Sequence, residues 1–204
     1  MIKKLSLLLV IAVSSAYADG IKALDLFLQN KNSSISADFV QTVYGVNKNK
    51  ISQGRMEISR PNKFRWIYLN DGQEIISNSK MIYVYDKQLK QVTQKPLNGS
   101  LGKSPASLLA GGSNIKQIYD ISNLPESNGI EWVLLKSKNV EDNNGFKSIQ
   151  MGFNKKTGEL SQMNFVDSFD NKSTISFSNV KTGVKFSKDE FDFLVPKDVD
   201  VIKN

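Results

Sequence analysis

From Asp38 onward the chain changes polarity at every second residue, in short segments, and that period selects strands over helices. Phe39, Gln41 and Val43 interleave with Asp38, Val40 and Thr42. Gly54, Met56 and Ile58 interleave with Arg55 and Glu57. Phe64, Trp66 and Tyr68 share one face of the next segment. Successive side chains of a strand point to opposite faces, so a period of two marks a half-buried strand. Shorter pieces of the same kind follow at 74–77, 81–85, 89–93, 132–135, 149–153, 160–166 and 174–180. Asn70-Asp71-Gly72 and Lys156-Thr157-Gly158 supply close turns. Many short strands joined by close turns predict a mainly β fold with short helices, in which an antiparallel sheet is strongly curved or closed into a barrel.

Two segments break the strand period. Ile21, Leu24, Phe27 and Leu28 recur at helical spacing, with Asp19 available as a cap. The second is Ser104-Pro105-Ala106-Ser107-Leu108-Leu109-Ala110-Gly111. Ser104 fits an N-cap, Pro105 the first helical position and Gly111 the C-cap. This helix is only about two turns long and follows a loose stretch from Leu97 to Gly102. Beside a sheet, a short apolar helix on a loose tether is either a lid or a plug, and Leu108 and Leu109 would serve both.

The first residues, MIKKLSLLLVIAVSSAYA, have the layout of an export signal. Lys3 and Lys4 form a positive start, residues 5–13 are apolar, and Ala16 and Ala18 fit a signal-peptidase site. The expectation is a cleaved segment over 1–18 and one domain over 19–204, since no repeat, linker or second long apolar run follows. The apolar run is shorter than the roughly 20 residues that span a bilayer. Cysteine is absent. An exported chain without it has no disulfides and no site for a lipoprotein-type lipid anchor, so the fold must hold by its core alone.

Histidine is absent too, which removes Ser-His-Asp and Cys-His nucleophile systems and the commonest transition-metal ligand. Only carboxylates could hold a metal, and Asp86, Asp142 and Asp167 lie in separate segments. Glu141-Asp142 precedes Asn143-Asn144-Gly145 and reads as a turn. There is no Gly-rich phosphate loop. No catalytic residue, metal site or cofactor is assigned on this basis. An enzyme would be limited to carboxylate or serine chemistry. The formal net charge is +7, with the basic residues scattered. That scatter suits a solvated surface better than a nucleic-acid footprint. Attraction to an anionic membrane or an acidic partner is the sharper alternative.

The stretch from Ser52 to Tyr68, with Arg60-Pro61, two intervening residues and Phe64-Arg65-Trp66, resembles the LolA family of periplasmic lipoprotein carriers. Phe39-Val40-Gln41 is similar to the family's F-x-Q element, and Tyr83-Val84-Tyr85-Asp86 to its W-x-Y-D element. Ser104-Pro105 to Leu109 is similar to its T-P-x-x-L-L helix. Phe191-Asp192-Phe193, Pro196 and Val199 to Val201 resemble its C-terminal motif. Three departures stand out: Tyr83 where the family often has Trp, Ser77-Asn78-Ser79 for a Ser-Asp-Gly turn, and Asp198 for a late Gly. The related receptor LolB shares the fold but is itself a lipoprotein, and the missing Cys favours the soluble carrier.

The resemblance implies an incomplete antiparallel β-barrel covered by a helical lid. It implies a monomer in the periplasm with no cofactor and no covalent chemistry. Lipoprotein acyl chains would lie in an apolar cavity lined by Phe64, Trp66, Tyr68, Tyr83, Tyr85, Leu108 and Leu109. The implied partners are an inner-membrane ABC-type release complex and the outer-membrane receptor LolB or an equivalent. Arg60 matches the arginine that latches the lid through hydrogen bonds to its backbone, and Phe64 a position at the cavity mouth. From the residues alone, Arg60 reads first as a surface arginine and Phe64 as an ordinary core phenylalanine, and only the resemblance assigns them these roles. The physics of the task is independent of the resemblance. Each acyl CH₂ left in water costs about 0.8 kcal/mol, so a triacylated anchor needs shielding to cross an aqueous compartment. The same aromatics could instead fill an ordinary core, or the half-barrel could be an adaptor or sensor that recognises a protein partner without carrying lipid.

Overall fold

The computed structural model describes residues 19–29, 33–98, 104–111, 115–138 and 145–203. The expected signal segment, most of the loose stretch before the second helix, and the turn at Glu141-Asp142 lie outside the described residues. Strands β1 (Ser34–Tyr44), β2 (Lys50–Ser59), β3 (Lys63–Tyr68), β4 (Gln73–Asn78), β5 (Met81–Asp86) and β6 (Gln91–Pro96) follow helix α1 (Gly20–Gln29). Helices α2 (Pro105–Gly111) and α3 (Ile115–Ile118) come next. Strands β7 (Tyr119–Ser127), β8 (Ile130–Ser137), β9 (Phe146–Asn154), β10 (Leu160–Asp167), β11 (Lys172–Thr182) and β12 (Asp200–Lys203) complete the order.

All twelve strands join one sheet in the order β12-β6-β5-β4-β3-β2-β1-β11-β10-β9-β8-β7. The two ends of that order do not pair with each other among the described residues, so the barrel is incomplete. Neighbours are antiparallel, as the close turns predict, and Gly72 and Gly158 take the positive φ that those turns demand (66° and 71°). The exception is β12, which pairs parallel with β6. It arrives by a long return rather than a hairpin, so its direction is not set by a turn.

The curvature follows from which residues meet. On a flat sheet β2 and β9 would lie about 19 Å apart, at four strand spacings. Here one phenylalanine bridges them. The Phe27 ring of α1 lies 5.7 Å from the Phe153 ring of β9, and the Arg60 guanidinium carbon, just past β2, lies 4.3 Å from the Phe27 ring. The sheet is therefore rolled around α1 and α2, which pack on β7–β9 and on β2–β3 respectively. Met56, Ile58, Phe64, Trp66, Val133, Ile149, Met151 and Phe153 form the buried concave face.

The convex face carries a second, smaller apolar layer. Residues 183–199 run back across it from β11 to β12. Phe191 is buried there, and Ile76 and Val92 are covered on the sheet. Arg65 joins this layer through Glu190 on the returning segment and Glu74 on β4 (3.3 and 3.2 Å).

Candidate functional site

Helix α2 is built as its sequence suggests. The Ser107 amide donates to Ser104 Oγ at 3.2 Å, and the Ser104 amide donates to Ser107 Oγ at 3.1 Å. This reciprocal cap starts the helix, and Ala106, Leu108, Leu109 and Ala110 are all buried against the concave face. At the other end of the cover, the Lys22 amide donates to Asp19 Oδ1 at 3.1 Å and caps α1.

Both helices are held at one point. Arg60 Nε donates to the Leu109 carbonyl of α2 at 2.9 Å. The same guanidinium donates through one terminal nitrogen to the Phe27 carbonyl of α1, and to Ser33 Oγ at 3.0 Å. The Asn62 amide adds a bond to the Ala110 carbonyl at 3.0 Å. Helix C-terminal carbonyls have no partners within the helix, so a planar cation with several fixed donors suits them. Arg60 is 6% exposed, and burial lowers its pKa to about 10, so it stays charged at neutral pH.

Beyond this clamp, an aromatic row runs along the concave face. Phe39 of β1 stacks on Trp66 (centroids 4.5 Å apart) and meets Tyr68 edge-on (5.4 Å). Phe177 of β11 meets Trp66 edge-on at 6.3 Å. Room for Phe39 comes from Gly54 directly across from it, where a Cβ would fall 2.3 Å from the ring. The Tyr68 hydroxyl donates to Gln41 Oε1 at 2.8 Å, and burial pushes its pKa up to about 12. Beside α1, a cleft of about 560 Å³ reaches toward the same face. Ala23, Phe27, Ile35, Leu160 and Val180 line it, with Lys22, Glu131 and Glu159 also at its walls.

The seven residues expected to line one cavity divide between the two faces. Phe64, Trp66 and Tyr68 of β3 lie on the concave face, and Leu108 and Leu109 of α2 pack against it. Tyr83 and Tyr85 of β5 do not line it. Their partners across β4 are Ile76 and Glu74, which lie opposite Arg65 and Ile67 rather than Trp66. Both tyrosines therefore face outward, where they flank the ring of Phe193 at 5.3 and 5.6 Å. Parity decides this: Ile82 and Val84 are the β5 residues in step with Phe64 and Trp66. The mouth position expected for Phe64 also differs from what is seen. Phe64 is completely buried beside the clamp, paired across β2 with Ile58 and across β4 with Ser77. Asp86 and Asp167 shape turns. Asp86 Oδ1 accepts the amides of Gln88 and Leu89, and Asp167 Oδ1 those of Phe169 and Asn171.

Sequence reading missed half of the clamp. The Phe27 carbonyl and the Asn62 amide are backbone groups and leave no mark in residue type. Phe39 is visible as the aromatic of an F-x-Q triplet, but only the pairing with Gly54 shows that its ring covers Trp66.

Residues 30–194 match the family described as Outer membrane lipoprotein carrier protein LolA. The chain is 37% identical over 188 residues to an outer-membrane lipoprotein carrier protein of Chromobacterium violaceum, covering 92% of this chain and 89% of that one. It is 36% identical over 197 residues to the protein of the same name from Neisseria meningitidis serogroup B, covering 96% and 93%. Among solved structures, an uncharacterized conserved protein from Thermus thermophilus shares the fold, with a TM-score of 0.58, 13% identity, and coverage of 90% of this chain and 98% of that one. The aromatic concave face and its two-helix cover thus sit in a chain that belongs to the LolA family of outer membrane lipoprotein carrier proteins.

Proposed function

We propose that this protein is a periplasmic carrier that shelters the acyl chains of lipoproteins against its concave face. It would receive them from an inner-membrane ABC-type release complex and deliver them to an outer-membrane receptor, LolB or an equivalent. In that role it makes and breaks no covalent bond. The observation that carries the reading is the clamp at Arg60. Two separate helices cover the apolar concave face, and one buried guanidinium bonds C-terminal carbonyls of both. Because one side chain bonds the ends of both helices, loss of its bonds would loosen the two together. Lifting this cover would expose Phe39, Trp66 and Tyr68 to cargo. The cleft beside α1 offers a point at which an acyl chain could begin to displace the helix. The family and the names of the relatives support the same cargo.

The test is displacement of an apolar fluorophore from the purified mature protein by a synthetic triacylated lipopeptide. Saturable displacement by the lipopeptide, with none by its deacylated peptide, is expected. Absence of displacement at saturating lipopeptide would defeat the reading.

A further inference from the structure

The strand registers put the turns at 45–49, 69–72, 87–90 and 168–171 at one end of the rolled sheet. Each of these four turns carries one large apolar side chain in water. Val46 is 102% exposed, Leu69 70%, Leu89 69% and Phe169 77%. Tyr44 and Ile51 flank the first of them and are also exposed. The turns at the opposite end, Arg60-Pro61-Asn62, Ser79-Lys80, Asn128-Gly129 and 155–158, present no exposed large hydrophobic residue. Singly exposed apolar side chains are ordinary on a protein surface, but one at each of these four turns and none at the turns named at the opposite end is a contrast that calls for a reason.

The same rim carries Lys48, Lys50, Lys87, Lys90, Lys147 and Lys172. Lys50, Lys87 and Lys147 are paired with Asp71, Glu74 and Asp170. Lys48, Lys90 and Lys172 have no ion pair among the described residues, and each lies within three positions of an apolar tip. Apolar tips interspersed with free ammonium groups match the boundary of an anionic bilayer, where the tips enter the acyl region and the lysines meet headgroup phosphates. A protein partner would call for a contiguous patch with a central pocket. The tips are instead separate fingers on separate turns, which a fluid surface accommodates without shape complementarity.

We propose that this rim seats the protein on the surface of an anionic phospholipid bilayer. The proposal goes beyond the carrier reading, because none of the rim residues takes part in the concave face or its clamp.

The test is flotation of the mature protein with vesicles of phosphatidylglycerol and phosphatidylethanolamine, and with vesicles of phosphatidylcholine alone. Binding to the anionic vesicles should weaken as salt rises, and binding to the neutral ones should be at least about tenfold weaker. The quadruple variant Val46→Ser, Leu69→Ser, Leu89→Ser, Phe169→Ser keeps every charge. It should bind the anionic vesicles at least about tenfold more weakly, with an unchanged circular dichroism spectrum and unchanged displacement of the apolar fluorophore by lipopeptide. Leu194→Ser with Ile202→Ser, exposed positions outside the four turns, should bind like the parent. Parent protein that ignores anionic vesicles would overturn the proposal. So would a quadruple variant that binds like the parent, or a control pair that loses as much. Rim-dependent capture by a protein partner without vesicle binding would also overturn it. The fluorophore measurement keeps a failure here separate from a failure of the carrier reading.

Discussion

Arg60 stays protonated at neutral pH although it is buried, so its donors are available to both helices. The sequence marks the arginine but not its acceptors, since any helix end offers the same carbonyls. Phe64 is a case where the buried context settles what the residue type leaves open. Because it is fully covered, Phe64→Glu would put an unpaired carboxylate into the core. The cost should reach or exceed roughly 3–5 kcal/mol, enough to abolish a cooperative melt in a marginal domain. Circular dichroism during heating reads this directly, and a parent-like melt would return Phe64 to a solvent-reached position. Glu57 on the convex face is the reverse case. Desolvation, and then the neighbouring Glu190 carboxylate, raise its pKa. In the folded state it holds its proton to higher pH than in the unfolded chain. Stability therefore falls as pH rises from the ordinary carboxylate range through the raised folded value, and stays lower above it. Glu57→Gln should accordingly leave the melting temperature unchanged near about pH 4 and raise it by a few degrees at about pH 7. An equal effect at both pH values would contradict this assignment.

Among the elements, the strands of the concave face were legible because one side is buried and the other wet, which gives period two. What the pattern could not supply was the parity between segments. Tyr83 and Tyr85 alternate as cleanly as Phe64 and Trp66, yet they face outward. The returning segment with Phe193 makes that side apolar as well, and no local signal records a cover that comes from about a hundred residues away. Strand β7 escaped notice because it is an edge strand with mostly exposed side chains and a proline, Pro125. Helix α2 was legible from its cap, and the Ser104–Ser107 bonds bear out that signal. Its attachment gives a prediction. Arg60→Leu removes charge-assisted bonds worth about 1.5–3 kcal/mol each at most, and so favours the uncovered form. If the covered form competes with cargo, losing the equivalent of about 1.4 kcal/mol should tighten lipopeptide binding about tenfold and slow its release to a soluble receptor. Arg60→Lys should show a smaller effect of the same sign, because one ammonium cannot serve both helices equally. Parent-like affinity and transfer in Arg60→Leu would remove the clamp from the mechanism.

At the scale of the whole molecule, the fold consists of one rolled sheet with two apolar layers fastened in different ways. The convex layer is fastened by a segment that ends as a strand of the sheet, β12 on β6. The concave layer is fastened by short helices whose polar hold on the β2–β3 turn is Arg60 and Asn62. Cargo should accordingly displace the second and spare the first. Site-resolved amide hydrogen exchange of a protein spanning residues 19–204, with and without a triacylated lipopeptide, reads both layers in one measurement. On binding, the Asn62 amide should lose the protection it gains from the Ala110 carbonyl, and α2 should exchange faster. The amides of β12 and β6 should keep their protection. Unchanged protection at Asn62 and α2 in a protein saturated with lipopeptide would contradict the account, because cargo would then be bound without the cover having moved.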